Sequence, residues 1–266
     1  MKNKRYLGAI LLAPLVIFLF LGGEFLRYLL LVLSLMGMYE FFKVIKEKNI
    51  KPIASIAYIA CTFYYILINK SVDYKLIALS LVMLAFVGLC IPVLTSKYNF
   101  IDVALTLFGY IYIPVFFSFI YIINLKSNGN YLIWLVFLSS WLCDTTAYYS
   151  GRFLGKHKLN SRVSPNKTIE GAVGGLMGST VACIIFGNYL ISKGVGISIY
   201  NFAAIGFLSG IFSQFGDLVA SSIKRYINVK DYGNIIPGHG GILDRFDSIL
   251  FSSVVVYIYI TLIIGI

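Results

Sequence analysis

Apolar residues in this chain run in blocks of roughly twenty, each ending in a short cluster of charge, glycine or asparagine. Blocks of that length match a hydrocarbon core of about 30 Å crossed at 1.5 Å rise per helical residue. They predict helices at about 7–21, 25–42, 53–69, 76–95, 101–123, 131–150, 170–191, 199–220 and 248–266. The expected fold is therefore an all-α polytopic integral membrane protein of about nine transmembrane helices. Only Gly22, Gly23 and Glu24 part the first two blocks, which also read as one broken helix or a re-entrant pair. The connections 151–169 and 221–247 are longer than a bundle needs, and long polar loops on a minimal bundle are where function is expected. The chain divides into an N-terminal transmembrane part, 1–125, holding spans one to five, and a C-terminal part, 126–266, holding both long loops. No repeat, low-complexity tract or matched pair of interrupted spans points to an inverted-repeat transporter.

Composition agrees and removes the soluble alternatives. Of 266 residues 59% are hydrophobic and 12% charged, with mean hydropathy +0.86, against roughly 45–50% and 25% in soluble domains. A net charge of +11 would suggest nucleic acid in a soluble protein; between spans it reports topology first and attraction to anionic headgroups second. With the N-terminus inside, seventeen Lys and Arg fall on the inner side and five (Arg27, Lys70, Lys75, Lys126, Lys193) on the other. The expectation is N-terminus cytoplasmic, C-terminus outside. Lys2, Lys4 and Arg5 precede an apolar run with no small-residue cleavage site, which reads as an uncleaved first span. Cys61, Cys90, Cys143 and Cys183 stand singly in apolar stretches and are expected to be buried, inert thiols.

Acidic residues are costly in lipid, at about 2.5–3.5 kcal/mol near a bilayer centre, so those inside spans are functional candidates by default. Six of the eleven lie between 144 and 247: Asp144, Glu170, Asp217, Asp231, Asp244 and Asp247. Asp144 falls six residues before the predicted end of its span and Asp217 closer still to its own, which places both at interface depth. Asp244 and Asp247, three apart, share a face if the last helix starts early. Mg2+ takes one or two carboxylates beside phosphates and waters, and Asp217, Asp244 and Asp144 supply enough. The competing reading pairs these acids with Arg245, Arg225 or Lys224 to neutralise charge.

Around them lie Lys224, Arg225, Lys230 and Arg245, and the run Pro237-Gly238-His239-Gly240-Gly241. Glycine lets successive N–H groups face an anion, and fixed cations complement it. Carboxylates for Mg2+ beside such a loop suit a triphosphate. The loop upstream repeats the chemistry in Gly151, Arg152, Gly155, Lys156 and then Ser164-Pro165-Asn166-Lys167-Thr168-Ile169-Glu170-Gly171. Thr168 reads as a helix cap, and glycines 171, 174, 175 and 178 as close helix packing rather than ligand contact. The stretch Gly151 to Lys156 is one residue short of a P-loop and lacks the Ser or Thr after Lys. His239 is kept as a binding residue, either acid–base or loop-shaping; His157 reads as a solvated loop residue. Of the basic residues in 151–169, Lys167 stands out by its context.

The run Ser221-Ser222-Ile223-Lys224-Arg225, four residues, Lys230-Asp231-Tyr232-Gly233, then Pro237-Gly238-His239-Gly240-Gly241-Ile242-Leu243-Asp244-Arg245-Phe246-Asp247 resembles the signature of the phosphatidate cytidylyltransferase (CDP-diacylglycerol synthase) family. Asp144 to Lys156 and Ser164 to Gly171 resemble further segments of that family, while spans one to five match only in size and hydrophobicity. The resemblance implies CMP transfer from CTP to phosphatidate, giving CDP-diacylglycerol and pyrophosphate. It also implies dependence on Mg2+, with a second cation such as K+ left open, and a polytopic helical fold that is commonly dimeric. It assigns Asp217 and Asp244 to the metal and makes Ser221, Lys224, Arg225, Lys230 and Arg245 phosphate contacts. To these the reading of the residues adds Asp144 and Asp247 as metal carboxylates, and Lys167, His239, Gly240 and Gly241 as nucleotide-binding positions. The expected setting is the cell membrane, with CTP, phosphatidate and membrane lipid as partners, no nucleic acid, and a site facing the cytoplasm. A CTP-dependent lipid kinase or related cytidylyltransferase, and a cation-coupled transporter, are the competing classes; one-sided, interfacial acids disfavour transport.

Overall fold

The computed structural model describes residues 16–68, 74–236, 238 and 240–266. Its internal contacts group the chain into two units: residues up to Leu125 together with Tyr226–Arg245, and Lys126–Arg225 together with Phe246–Ile266.

The first unit holds α1 (Gly23–Ile45), α2 (Ala54–Leu67), α3 (Tyr74–Leu94) and α4 (Phe100–Leu125). Residues 16–21 are also helical; the rest of the predicted first span lies outside the described residues. Gly22 and Gly23 sit at φ 60° and 52°, a left-handed kink that glycine tolerates, so the chain breaks there into two helices. α1 buries Leu26, Leu30, Leu33 and Phe41. At Gly109 of α4 a Cβ would come within 2.7 Å of the Phe42 ring, so the bare glycine sets how closely α1 and α4 approach. α4 starts on a reciprocal cap. Asn99 Oδ1 accepts from the N–H groups of Ile101 and Asp102, and Asp102 Oδ2 accepts from Asn99 N–H at 2.9 Å. Midway, Pro114 has no N–H to give, and the ladder slips into a π turn over Ile111–Val115.

The second unit contains α5 (Gly129–Leu154), a hairpin of β1 (Lys158–Asn160) and β2 (Ser164–Thr168), α6 (Ile169–Ser192) and α7 (Ile199–Ile227). Most of α8 (Leu243–Ile264) also belongs to it. The glycines of α6 pack as expected. A Cβ on Gly171 would come 2.8 Å from the Ala147 carbonyl, Gly174 faces Ser150, Gly175 faces Cys143, and Gly178 faces Thr146. On α7, Gly206 lies against the α6 backbone at Ser179 and Thr180, and the Ser179 hydroxyl donates to the Gly206 carbonyl at 2.5 Å.

Several expectations need correction. The region 151–169 is not simply a loop: α5 runs on to Leu154, and an antiparallel hairpin follows, pairing Lys158 with Thr168 and Asn160 with Ser164. Pro165 is tolerated because a two-stranded ribbon leaves every strand an edge. The 221–247 stretch shrinks to 228–242, since α7 extends to Ile227 and α8 begins at Leu243. Charged residues end an apolar run without ending a helix, because backbone hydrogen bonding continues wherever propensity allows. His157 is exposed but not merely solvated: its Nδ1 lies 2.6 Å from Glu170 Oε1, and Glu170 also accepts from the N–H groups of Lys156 and His157. Among the four cysteines Cys90 is exposed, while Cys61, Cys143 and Cys183 are buried.

Six helices are long and apolar enough to cross a bilayer among the described residues: α1, α3, α4, α6, α7 and α8. α2 is apolar but has 14 residues. α5 has 26 residues but is not among the six; its C-terminal half carries Asp144, Thr145, Thr146 and Arg152. The outward faces are apolar, as on α3, where Leu79, Val82, Phe86, Leu89 and Val93 are exposed. A large apolar surface of this kind is excluded from water. The chain is a multi-pass helical membrane protein.

Candidate active site

Three acids of the second unit lie within electrostatic reach of one another: Asp144 on α5, Asp217 on α7 and Asp247 on α8. Gly216 helps bring two of them together, since a Cβ there would stand 2.5 Å from the Asp247 carbonyl oxygen. Asp144 and Asp217 each sit ten residues before the end of their helix, about 15 Å at 1.5 Å per residue. That is farther from the helix ends than the hydropathy pattern placed them. Asp247 is buried and accepts from the Ser248 N–H at 2.8 Å.

Cations meet these carboxylates. Lys167 Nζ, on β2, lies 2.5 Å from Asp217 Oδ2, and Lys224 acts electrostatically on Asp247. The sequence offered Arg245, Arg225 or Lys224 to neutralise these acids; Asp217 also has an ion pair with Lys167, because the hairpin carries that lysine over to α7. Ser221, one turn on from Asp217, donates its hydroxyl to Asp217 Oδ1 at 3.3 Å. Arg225 reaches the hairpin through Nε, which donates to the Val163 carbonyl at 3.4 Å.

A cavity of about 600 Å³ opens in this unit, with Asp144, Asp217, Lys167, Arg152, Asn166 and Tyr148 on its wall. That volume is in the range of small-molecule sites. Sequence reasoning passed over Tyr148 and also Gln214, another wall residue, whose amide donates to the carbonyls of Ala172 and Gly210. A polar Gln inside an apolar span was the available signal for the latter. Gly151 and Gly155, in the stretch that faintly looks like a phosphate loop, pack on Thr168. Thr168 caps α6 by accepting from the Gly171 N–H at 3.1 Å.

In the first unit, Asp244 folds the glycine turn onto the start of α8. Its Oδ2 accepts from the N–H groups of Tyr232 at 2.8 Å and Gly241 at 2.9 Å. Gly238 and Gly240 take φ 77° and 85°, and Ile236 pairs with Gly240 across the turn. Pro237 and His239 lie outside the described residues. Lys230 and Arg245 flank this turn in sequence. Glu40 of α1, which sequence reasoning did not single out, is buried here and accepts from the N–H groups of Ile242 at 2.9 Å and Leu243 at 3.0 Å. An acid inside an apolar run was its signal too, masked by the lysines at 43, 46 and 48 that follow.

No three His, Cys, Asp or Glu side chains converge to grip a metal on their own among the described residues. Mg2+ does not require that, since it keeps waters and takes substrate phosphates beside one or two carboxylates. The hard oxygens of Asp217 and Asp144 on one cavity wall fit that requirement.

The cytidylyltransferase family model matches residues 3–263. Proteins named phosphatidate cytidylyltransferase are similar to this chain. The one from Staphylococcus saprophyticus is 42% identical over 173 residues, 65% of each chain. That from Staphylococcus haemolyticus is 43% identical over the same length and coverage, and that from Staphylococcus epidermidis 40% over 172 residues, 64% of each. The similarity thus spans just under two thirds of the length of these relatives.

Proposed function

This chain belongs to the cytidylyltransferase family, and from that premise we propose that it transfers CMP from CTP to phosphatidate, releasing pyrophosphate and leaving CDP-diacylglycerol in the membrane. The observation that carries the reading is the cavity of the second unit, where Asp144 and Asp217 share a wall with Lys167 and Arg152. Acids that suit Mg2+ and cations that suit phosphate meet there in a space of nucleotide size.

The chemistry needs no strong base, because the phosphate of phosphatidate is already an oxygen nucleophile at neutral pH. Its oxygen attacks the α-phosphorus of CTP; the bond from that phosphorus to the bridging oxygen breaks, and pyrophosphate departs with the electron pair. The obstacle is the repulsion between two polyanions, so positioning and charge complementarity dominate. In the second unit Lys167, Lys224 and Arg225 would hold phosphate oxygens, and Ser221 would orient Asp217. In the first, Lys230 and Arg245 would do the same, with Gly240, Gly241 and His239 retained from the motif as binding positions. Mg2+, when bound, would supply charge neutralisation at the transferring phosphoryl group. Asp217, with Asp144 and Asp247 beside it, would hold it; Asp244 stays in the proposed ligand set on the strength of the motif, and a second cation such as K+ is left open. The same reading puts the site on the cytoplasmic face of the plasma membrane, where CTP arrives from water while the acyl chains stay in lipid, and includes a homodimer.

The test is the fate of label in detergent micelles containing phosphatidate and Mg2+. Label from the α-phosphate of CTP is expected in the lipid product, with loss under a chelator and recovery on adding Mg2+. Label from the γ-phosphate appearing in lipid would make the protein a kinase, and absence of any lipid product would end the proposal.

A further inference from the structure

We propose that Glu40 is a positioning residue that holds the glycine turn and the start of α8 in their phosphate-binding arrangement; this rests on the nucleotide reading above. Glu40 lies well outside both long loops, some two hundred residues before the turn, yet the residue is 1% exposed and both carboxylate oxygens are engaged there. Oε1 accepts from the Ile242 N–H at 2.9 Å and Oε2 from the Leu243 N–H at 3.0 Å. These are two donors at the N-terminus of α8, which the helix itself leaves unsatisfied. A carboxylate suits that place because the helix dipole and paired N–H groups both favour negative charge.

The turn closes over the same carboxylate from its other parts. A Cβ on Gly233 would stand 2.7 Å from Glu40 Oε1, and one on Gly241 would overlap both oxygens. Neither glycine has positive φ, so their smallness serves the approach to Glu40 rather than an unusual backbone. Asp244 then ties Tyr232 to Gly241 from inside the turn. Tyr232, Gly233 and the stretch Gly241 to Leu243 are thus gathered on two carboxylates, one local and one delivered by α1. Lys230, Gly240, Gly241 and Arg245, all proposed binding positions, sit in or beside the gathered residues. Burying a charge is costly unless hydrogen bonds compensate, and an apolar residue in α1 would pack without that cost. Its return is a fixed backbone path for the turn, and with it the placement of Lys230 and Arg245 on either side.

The experiment is Glu40→Gln in the full-length protein in detergent. The amide keeps the size but turns an NH2 toward one of the two N–H donors, leaving that donor without an acceptor. We expect the KM for CTP to rise at least fivefold and amide hydrogen exchange over residues 240–245 to quicken, with exchange in α5–α7 unchanged. A smaller folded fraction would lower the maximal rate but leave KM where it is, so the KM shift separates positioning from mere stability. If Glu40→Gln does not fold, Gly233→Ala carries the test, as its methyl presses on the same carboxylate and is expected to raise KM alike. A KM within twofold of wild type overturns the proposal. Should the wild-type protein transfer no CMP at all, the reaction assignment falls separately. Unchanged exchange at 240–245 in Glu40→Gln would then overturn the role of Glu40, and faster exchange would keep it as the anchor of the turn in a protein of another activity.

Discussion

Asp217 faces two partners at once, with Lys167 on one oxygen and the Ser221 hydroxyl on the other. It is partly open to the cavity, so under the proposed function a substrate phosphate arriving there would compete with the carboxylate for the lysine. Asp217→Asn keeps the size and the Ser221 contact while removing the charge. The expected result is a fall in kcat of about 10²–10³-fold, typical for losing one preorganised electrostatic group, with the protein still extracted and folded as wild type. Initial rates across a Mg2+ titration measure it, and near-normal turnover would remove Asp217 from the ligand set. The acids themselves were legible in the sequence because lipid makes each one expensive. Their partners were not, since Lys167 lies fifty residues from Asp217 and only the hairpin brings it over. Glu40 was passed over for the complementary reason: beside lysines at 43, 46 and 48 an acid looks like part of a charged helix end.

Helices here are positioned by what their smallest residues allow. The α6 glycines let α5 approach until backbone meets backbone, at Gly171 with a Cβ-to-carbonyl distance of 2.8 Å. Without a hydrophobic driving force between helices in lipid, such close packing supplies much of the association. Gly171→Ala is expected to destabilise by about 1–3 kcal/mol, the usual cost of overpacking, because the obstructing atom is backbone and cannot rotate away. Gly196→Ala, with open space around it, should leave stability unchanged. Thermal unfolding of the two variants in the same detergent compares them, and equal midpoints would refute the packing account. The spacing of these glycines revealed the packing in advance, as the apolar runs revealed the helices. Helix ends were less legible: α5 and α7 continue four and seven residues past the ends predicted at 150 and 220. A hydropathy run marks where lipid contact ends, whereas hydrogen bonding decides where a helix ends. The hairpin escaped notice because three- and five-residue strands have too little alternation to read.

For the molecule as a whole, the charge of +11 and its seventeen-to-five division between the predicted sides argue an orientation with the N-terminus in the cytoplasm. The prediction is that Ser161→Cys, exposed at the hairpin turn, reacts with an impermeant maleimide only in inside-out vesicles. Ser192→Cys, exposed at the far end of α6, should react in intact cells. Replacing Cys90, exposed unlike the three buried cysteines, quiets the background, and the reverse labelling pattern would invert the topology. The amino-acid sequence by itself settled that lipid is the solvent and where most helices run, because those follow from transfer free energy and spacing along the chain. Tertiary structure alone decided that Lys167 pairs with Asp217, that Asp144, Asp217 and Asp247 gather in one unit, and that Glu40 clasps the start of α8. Such contacts join residues tens to two hundred positions apart, and their energies depend on three-dimensional distance, which no pattern read along one dimension encodes.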